Sequence, residues 1–513
     1  MKKRVFTLLL IPFLLFYALP VGAVEKEGRK WQDETIYFLM VDRFNNGDNK
    51  NDIEVNAKDP LAYHGGDFQG IIDQLDYLKD MGYTAIWLTP IFDNAENGYH
   101  GYWINDFYKT DEHFGSIDTF KKLVKEAHNR DMKVILDFVA NHVAPTNPWI
   151  NDSQKKSWFH EKKGISNGDN QQDLETGWVD DLPDLAQENP DVEKYLLDAA
   201  QWWIKETNID GYRLDNVNYV PITFWEKFSK KVKETKKDFY LLGEVSTKDP
   251  NYIVKYDKAG IDGFVDNPLN EHLRTAFAKP DQTLNPLFTN WKRNEEIYED
   301  PYVMGTFLDN HDTTRFTQDM AQNNQNPGTR WKLALTYLYS TPGIPIVYYG
   351  SEIALNGGAA PDNQRQMNFR TDKELIDYIT KIGELRQQLP SLTRGKMEVL
   401  YENKGMGVYK RTYQDEVAII AINNTSKSQH ITLTTKEIEP GKELRGLLAN
   451  DLVRSKNDKY ELIIDREEAE IYVLAKKTGL NIPYLTVMGI VYLAFIIFIV
   501  LIWKRSKKKR TTS

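Results

Sequence analysis

The chain has 513 residues, 41% hydrophobic and 27% charged, which excludes a disordered or collagen-like polypeptide and suggests about two to four domains. The formal net charge is −9; with the nine basic residues at the two ends set aside, the interior carries −18, which disfavours nucleic acid as a partner. Cysteine is absent, so disulfides and thiolate chemistry are excluded.

In chain order, Lys2, Lys3 and Arg4 precede an apolar run from Val5 to Leu19 and the small residues Val21, Gly22 and Ala23, the layout of a secretory signal over 1–23. Eight short apolar or β-branched runs follow, at 35–44, 85–90, 134–139, 211–217, 240–245, 263–267, 303–310 and 345–350. Amphipathic helical patterns follow most of them, the clearest at 68–81, 117–130, 224–236, 331–340 and 375–389. Eight such units suggest an α/β fold with a closed (β/α)8 TIM barrel over 30–142 and 189–392, although periodicity alone leaves a doubly wound sheet open. The polar stretch 143–188 breaks the spacing after the third strand and reads as a loop subdomain. Beyond Pro390 the pattern turns to alternating strands, predicting an antiparallel β-sandwich over 393–475. Residues 482–503 then carry no charge and are followed by a basic tail at 504–513. The reading is one transmembrane helix with its C-terminus inside, placing the catalytic part outside the cell and held at the membrane.

A (β/α)8 barrel puts its chemistry at the C-terminal ends of the strands. Here those ends carry Asp137, Asn141 and His142 on strand three, and Arg213 and Asp215 on strand four. Strand five ends in Glu244, and strand seven in Asp309, Asn310, His311 and Asp312. Alternation along a strand puts Arg213 and Asp215 on one face, where the guanidinium would keep the carboxylate charged. Paired carboxylates with groups to grip hydroxyls suit glycosyl transfer, one acid as nucleophile and one as proton donor. Asp215 suits the first role; Glu244, after the apolar run Tyr240 to Gly243, suits the second, although the spacing does not force this assignment.

These segments, Asp137 to His142, Gly211 to Asp215, Gly243-Glu244 and Phe307 to Asp312, resemble in order the strand-end motifs of the α-amylase family of glycoside hydrolases. Leu182 to Leu185, Tyr99 to Trp103 and Gly343 to Gly350 match further motifs of that family. The resemblance implies Asp215 as nucleophile, Glu244 as general acid/base and Asp312 as a third acid gripping the distorted sugar. It implies Arg213, His142 and His311 around the same sugar, Tyr102 stacked on its ring and Arg365 at the neighbouring one.

Residues 42–52 gather carboxylates and amides in a turn, the oxygen chemistry of Ca2+, although composition alone fits a solvated loop equally well. Cyclodextrin glucanotransferase-like members of the family bind calcium in a similar loop closed by a later Gly-Gly-Asp. By that resemblance the ligands are Asn46, Asp48, Asn51, Asp52, the Gly65 main chain and Asp67. A second family site corresponds to Asn141, Asp184 and the main chain of Tyr219. The chain departs from the family at Asn218-Tyr219, where many amylases carry Lys-His, and at Asn216, which is neither the Thr nor the Val common there. The expected activity is cleavage of internal α-1,4 bonds of starch and maltooligosaccharides by a monomer. The alternatives are an α-1,6- or cyclodextrin-directed hydrolase or transferase, and a non-catalytic tethered glucan-binding protein.

Overall fold

A computed structural model describes residues 28–477 apart from 372, together with residues 489–501 and 503. The first barrel strand is β1 (Ile36–Leu39), followed by β2 (Ala85–Leu88). A hairpin of β3 (Phe92–Asn94) and β4 (Ile104–Thr110) then leaves the barrel before β5 (Lys133–Phe138). The rest of the barrel is β6 (Gly211–Leu214), β7 (Tyr240–Gly243), β8 (Gly263–Phe264), β9 (Gly305–Phe307) and β10 (Ile344–Tyr348). The eight barrel strands pair in parallel in the order β8-β7-β6-β5-β2-β1-β10-β9. A parallel bridge between Val265 and Gly305 joins the two edges and nearly closes the cylinder. The closure needs glycine: a Cβ on Gly263 would stand 2.1 Å from the Val303 carbonyl oxygen.

The strands are buried on both faces, which is why they read as unbroken apolar runs. The surrounding helices start on side-chain caps. Asp67 caps Phe68–Asp80, Ser116 caps Ile117–His128, and Asn189 with Pro190 begins Pro190–Thr207. The first strand is shorter than the expected 35–44, because Val41–Phe44 turns into one helical turn. There the buried Asp42 carboxylate accepts the His64 and Gly65 amides at 2.8 and 3.1 Å.

Residues 143–188 hold two 3₁₀ turns and the short helix Gln171–Thr176, tied back to the barrel by a bridge between His142 and Asp184. The C-terminal strands are β11 (Lys396–Asn403), β12 (Met406–Tyr413), β13 (Glu416–Asn423), β14 (Gln429–Thr434), β15 (Lys442–Gly446), β16 (Leu452–Arg454), β17 (Lys459–Ile464) and β18 (Glu468–Lys476). Six of them form an antiparallel sheet ordered β11-β12-β13-β18-β15-β16. The β14-β17 pair packs Ile431, Leu433 and Leu462 into one cluster with Tyr472 of β18.

The transmembrane helix expected over 482–503 is not borne out. Among the described residues no helix is long and apolar enough to cross a membrane. The placement at the cell membrane, with the catalytic part outside, rested on that span and is withdrawn with it. The expected signal segment 1–23 and basic tail 504–513 lie outside the described residues.

Candidate active site

Register builds the centre of the site. In the parallel β5–β6 ladder Asp137 lies directly beside Arg213. The ladder runs on past the strands: the Asp215 amide donates to the Phe138 carbonyl and the Glu244 amide to the Leu214 carbonyl, at 3.1 and 3.0 Å. The backbones of both acids are thereby held by main-chain bonds on the barrel rim.

Arg213, whose side chain is 1% exposed, takes all three acids. Its Nη1 donates to Asp137 Oδ1 at 2.9 Å and to Asp215 Oδ1 at 2.6 Å, and its Nη2 pairs with Glu244. Below it lies the Trp87 ring, 5.5 Å away. Burial alone would lower this guanidinium, but Asp137, Glu244 and Asp215 outweigh it and raise it well above its ordinary value. Burial pushes the Glu244 carboxyl up to about 7; Asp215 and Asp312 add to the rise while Arg213 opposes it. Burial likewise raises Asp137 to about 7 against Arg213. One buried cation among three carboxyls cannot leave all three equally ionised.

The wall above is aromatic. Tyr102 donates to Asp137 Oδ2 at 2.8 Å and stacks on the His311 ring with centroids 5.1 Å apart. His142 Nε2 lies 3.2 Å from the Tyr102 carbonyl oxygen, and burial lowers its imidazole. Asn363 and Gln364 donate to the His311 carbonyl at 2.7 and 2.8 Å and hold the loop after β9. On that loop Asp312 is 60% exposed at the mouth, 3.5 Å from His311 Nε2. The structure thus gathers Asp215, Glu244, Arg213, Tyr102, His142, His311 and Asp312 around one opening. Arg365, expected at the neighbouring sugar, follows Gln364 with its guanidinium 52% exposed and closed onto Asp362 at 2.6 Å. Asp137, Trp87 and His100 belong to the cluster, although the sequence reading assigned them no role. The signal for Asp137 was available, since parallel neighbours three and four set it beside Arg213. Burial lowers His100 to about 3, with His311 and His142 adding to the fall.

Among the described residues no three His, Cys, Asp or Glu side chains gather as a metal set. The oxygen-rich loop draws instead on amides. Asn46 Oδ1 and Asn51 Oδ1 are buried without a hydrogen-bond partner, an arrangement that suits a hard cation. Asn46 Nδ2 reaches Asp52 Oδ1 at 2.8 Å, and a Cβ on Gly65, whose φ is +89°, would stand 2.7 Å from Asn46 and 2.8 Å from Asp52. Asp48 Oδ1 accepts the Lys50 amide at 3.1 Å. Asp67 already receives the Gly47, Asp48 and Gly70 amides at 3.0, 2.8 and 2.6 Å. At the second set, Asn141 Nδ2 bridges Asp184 Oδ1 at 2.7 Å and the Tyr219 carbonyl at 3.1 Å. Turning that amide over would aim three oxygens at one point. Burial raises Asp184 to about 7, while His160 and Asn141 oppose the rise.

The family profile described as the alpha amylase catalytic domain matches residues 38–384, and that of the alpha-amylase C-terminal domain matches 395–472. The crystal structure of an Anoxybacillus α-amylase is 66% identical, superposes with a TM-score of 0.87 and aligns over 88% of this chain and 100% of that one. The cyclomaltodextrinase of Thermoanaerobacter pseudethanolicus is 34% identical over 83% of this chain and 75% of its own length. The β/α-amylase of Paenibacillus polymyxa is 34% identical over 86% of this chain, which spans only 38% of that larger protein. With the catalytic profile covering more than half of the chain, and a buried knot of three acids on the barrel rim, this protein belongs to the α-amylase family of glycoside hydrolases.

Proposed function

We propose that this enzyme cleaves α-glucosidic bonds of maltooligosaccharides, linear and cyclic, with retention of configuration. The observation that carries the retaining mechanism is that one guanidinium touches both Asp215 and Glu244. Retention uses carboxyls about 5–5.5 Å apart, whereas inversion needs room for a water between them. An Asp215 oxygen attacks the anomeric carbon while Glu244 gives its proton to the departing glycosidic oxygen, whose bond to that carbon breaks. Glu244, now a carboxylate, takes a proton from water; the water oxygen attacks the same carbon and frees Asp215. The rise of Glu244 to about 7 supports its role as the proton donor. In this reading Asp312, exposed at the mouth, and His142 and His311 would bind hydroxyls of the sugar at the cleaved bond, with Tyr102 against its ring.

The similarity to a cyclomaltodextrinase supports cyclic and short substrates. A second reading, endo-cleavage of α-1,4 bonds in starch, is favoured by the 66% identical Anoxybacillus α-amylase. Calcium fits the orphaned Asn46 and Asn51 oxygens with Asp52, Asp48 and the Gly65 carbonyl, and a second ion fits Asn141, Asp184 and the Tyr219 carbonyl. Bound there, Ca2+ supplies charge that ties loops together.

The experiment follows maltoheptaose, β-cyclodextrin and soluble starch by chromatography, with Asp215→Asn and Glu244→Gln as controls. Ring opening at a rate comparable to maltoheptaose cleavage, lost in both variants, is expected. Rapid loss of starch viscosity with β-cyclodextrin untouched would establish the second reading. Unchanged turnover in either variant would sink the mechanism.

A further inference from the structure

Asn216 follows directly on Asp215 and adopts left-handed backbone angles, φ 47° and ψ 49°, a conformation asparagine accepts more readily than most residues. That turn directs its groups at both acids. The side-chain amide Nδ2 donates to Asp215 Oδ2 at 3.0 Å, on the carboxylate oxygen opposite the one Arg213 holds. The backbone N–H points at Glu244 Oε2 at 3.4 Å. The amide's own oxygen accepts the Ser246 hydroxyl at 3.2 Å. A carboxylate oxygen only accepts, so Asp215 draws the amide nitrogen toward itself and leaves Oδ1 to take the Ser246 hydroxyl, which anchors the far side of the amide. Two residues on, Asn218 Oδ1 accepts the Ser246 backbone amide at 2.9 Å, lacing the same two loops a second time.

We propose that Asn216, set by Ser246, is a positioning residue that locks the nucleophile and the proton donor in register. This rests on the assignment of Asp215 and Glu244 above. Arg213 alone holds Asp215 through Oδ1 and leaves the carboxylate free to turn about that contact; the Asn216 amide on Oδ2 removes the freedom. Free rotation would spread the attacking oxygen over positions that miss the anomeric carbon. The cost falls on the chemical step rather than on substrate binding.

Asn216→Gly is the cleaner test, because glycine keeps the left-handed turn and loses only the amide. It is expected to lower kcat on maltoheptaose about tenfold or more, with KM within about twofold and an unchanged thermal midpoint. The same loss should appear with an α-glucosyl fluoride donor, whose leaving group needs no proton from Glu244 but still needs the nucleophile in place. Ser246→Ala should reproduce part of the defect, and Ser246→Thr, which restores a hydroxyl, should recover it. If Asn216→Gly keeps kcat within about twofold while Asp215→Asn is inactive, the positioning role is overturned and the assignment stands. A loss confined to KM also overturns it, since that marks a contact to substrate. Turnover surviving in Asp215→Asn would bring down the assignment and this proposal together.

Discussion

The two ends of the barrel bury arginines for opposite purposes. On the catalytic rim Arg213 faces three carboxyls and few neutral oxygens. At the floor, where the strands begin, Arg386 donates to the carbonyls of Tyr339, Leu392, Gln32 and Gly343 at 2.6–3.2 Å. Arg411 beside it reaches the carbonyls of Gly395 and Ser340. Burial lowers Arg386 to about 9 and Arg411 to about 10, with neighbouring positive charge adding to the fall at Arg386, whereas the acids of the rim raise Arg213. Carbonyl oxygens take up an arginine's donors without storing charge, and through Arg411 they join barrel to β domain. Carboxyls store a field and a mobile proton. The same residue type is mortar at one end and chemistry at the other.

The sharpest break in that comparison is Arg213→Gln, which strips the charge and keeps an amide. Its kcat on maltoheptaose should fall about 100- to 1000-fold, the scale seen when a donor to developing charge is removed. The residual activity carries a second mark. If Glu244 is the proton donor proposed above, it must hold its proton to act, and wild-type activity should fall as pH rises through about 7. Arg213 opposes the rise of Glu244, so without it the basic limb should move to higher pH. The stability sign follows from the same shift. A carboxyl whose folded value lies above its ordinary 4.5 contributes stability that is whole below that value and is lost as pH rises through about 7. A pH–rate profile and thermal melts check both; a basic limb that does not move would detach Arg213 from Glu244.

The matching change at the floor is Arg386→Met. It leaves four carbonyls without their donor and should cost about 3–5 kcal/mol, read as the shift of a denaturant midpoint. The folded enzyme at 25 °C should keep its kcat within about twofold. A kcat loss comparable to that of Arg213→Gln would erase the distinction between the two ends.

Chelation bears on the loop beside the barrel rather than on either arginine. Removing calcium should lower Tm by several degrees, and Asn51→Ala should abolish most of that difference, since its buried oxygen has no other partner. A Tm indifferent to EGTA would leave the loop as a polar turn without a metal.

What the sequence disclosed follows the same line between charge and neutral oxygen. Each barrel strand announced itself because a parallel strand buried on both faces must be an apolar run, and because a polar residue ends it on the rim: Asp137, Asp215 and Glu244 all stand there. The β3–β4 hairpin did not, since Phe92–Asn94 is too short for an alternation to register and its pairing is irregular. Nor did the floor: Arg386 sits inside the pattern of a surface helix, and nothing in its neighbours says that four carbonyls from distant segments meet it. The role of Asn216 was hidden for a related reason, since its meaning depends on a left-handed turn and on Ser246 thirty residues away. The apolar run at 482–503 led the other way because composition shows only that a segment could cross a membrane, and among the described residues no helix is long and apolar enough to do so.

The smallest effect is expected at Arg365, and it separates what a motif implies from what the side chain does. The family resemblance puts this guanidinium at the sugar next to the cleaved bond. In the structure it is closed onto Asp362, with both groups about half exposed, and Asp362 also accepts the Gly358 amide at 2.6 Å. An exposed pair of this kind contributes little to stability, so Arg365→Ala should leave Tm within about 1 °C. If the pair stays closed, kcat and KM on maltoheptaose should change less than about threefold. A rise in KM of about tenfold, with kcat kept, would mean that Arg365 leaves Asp362 to hold a sugar. Asp362→Asn should then lower KM, because the substrate would no longer compete with the carboxylate for the guanidinium.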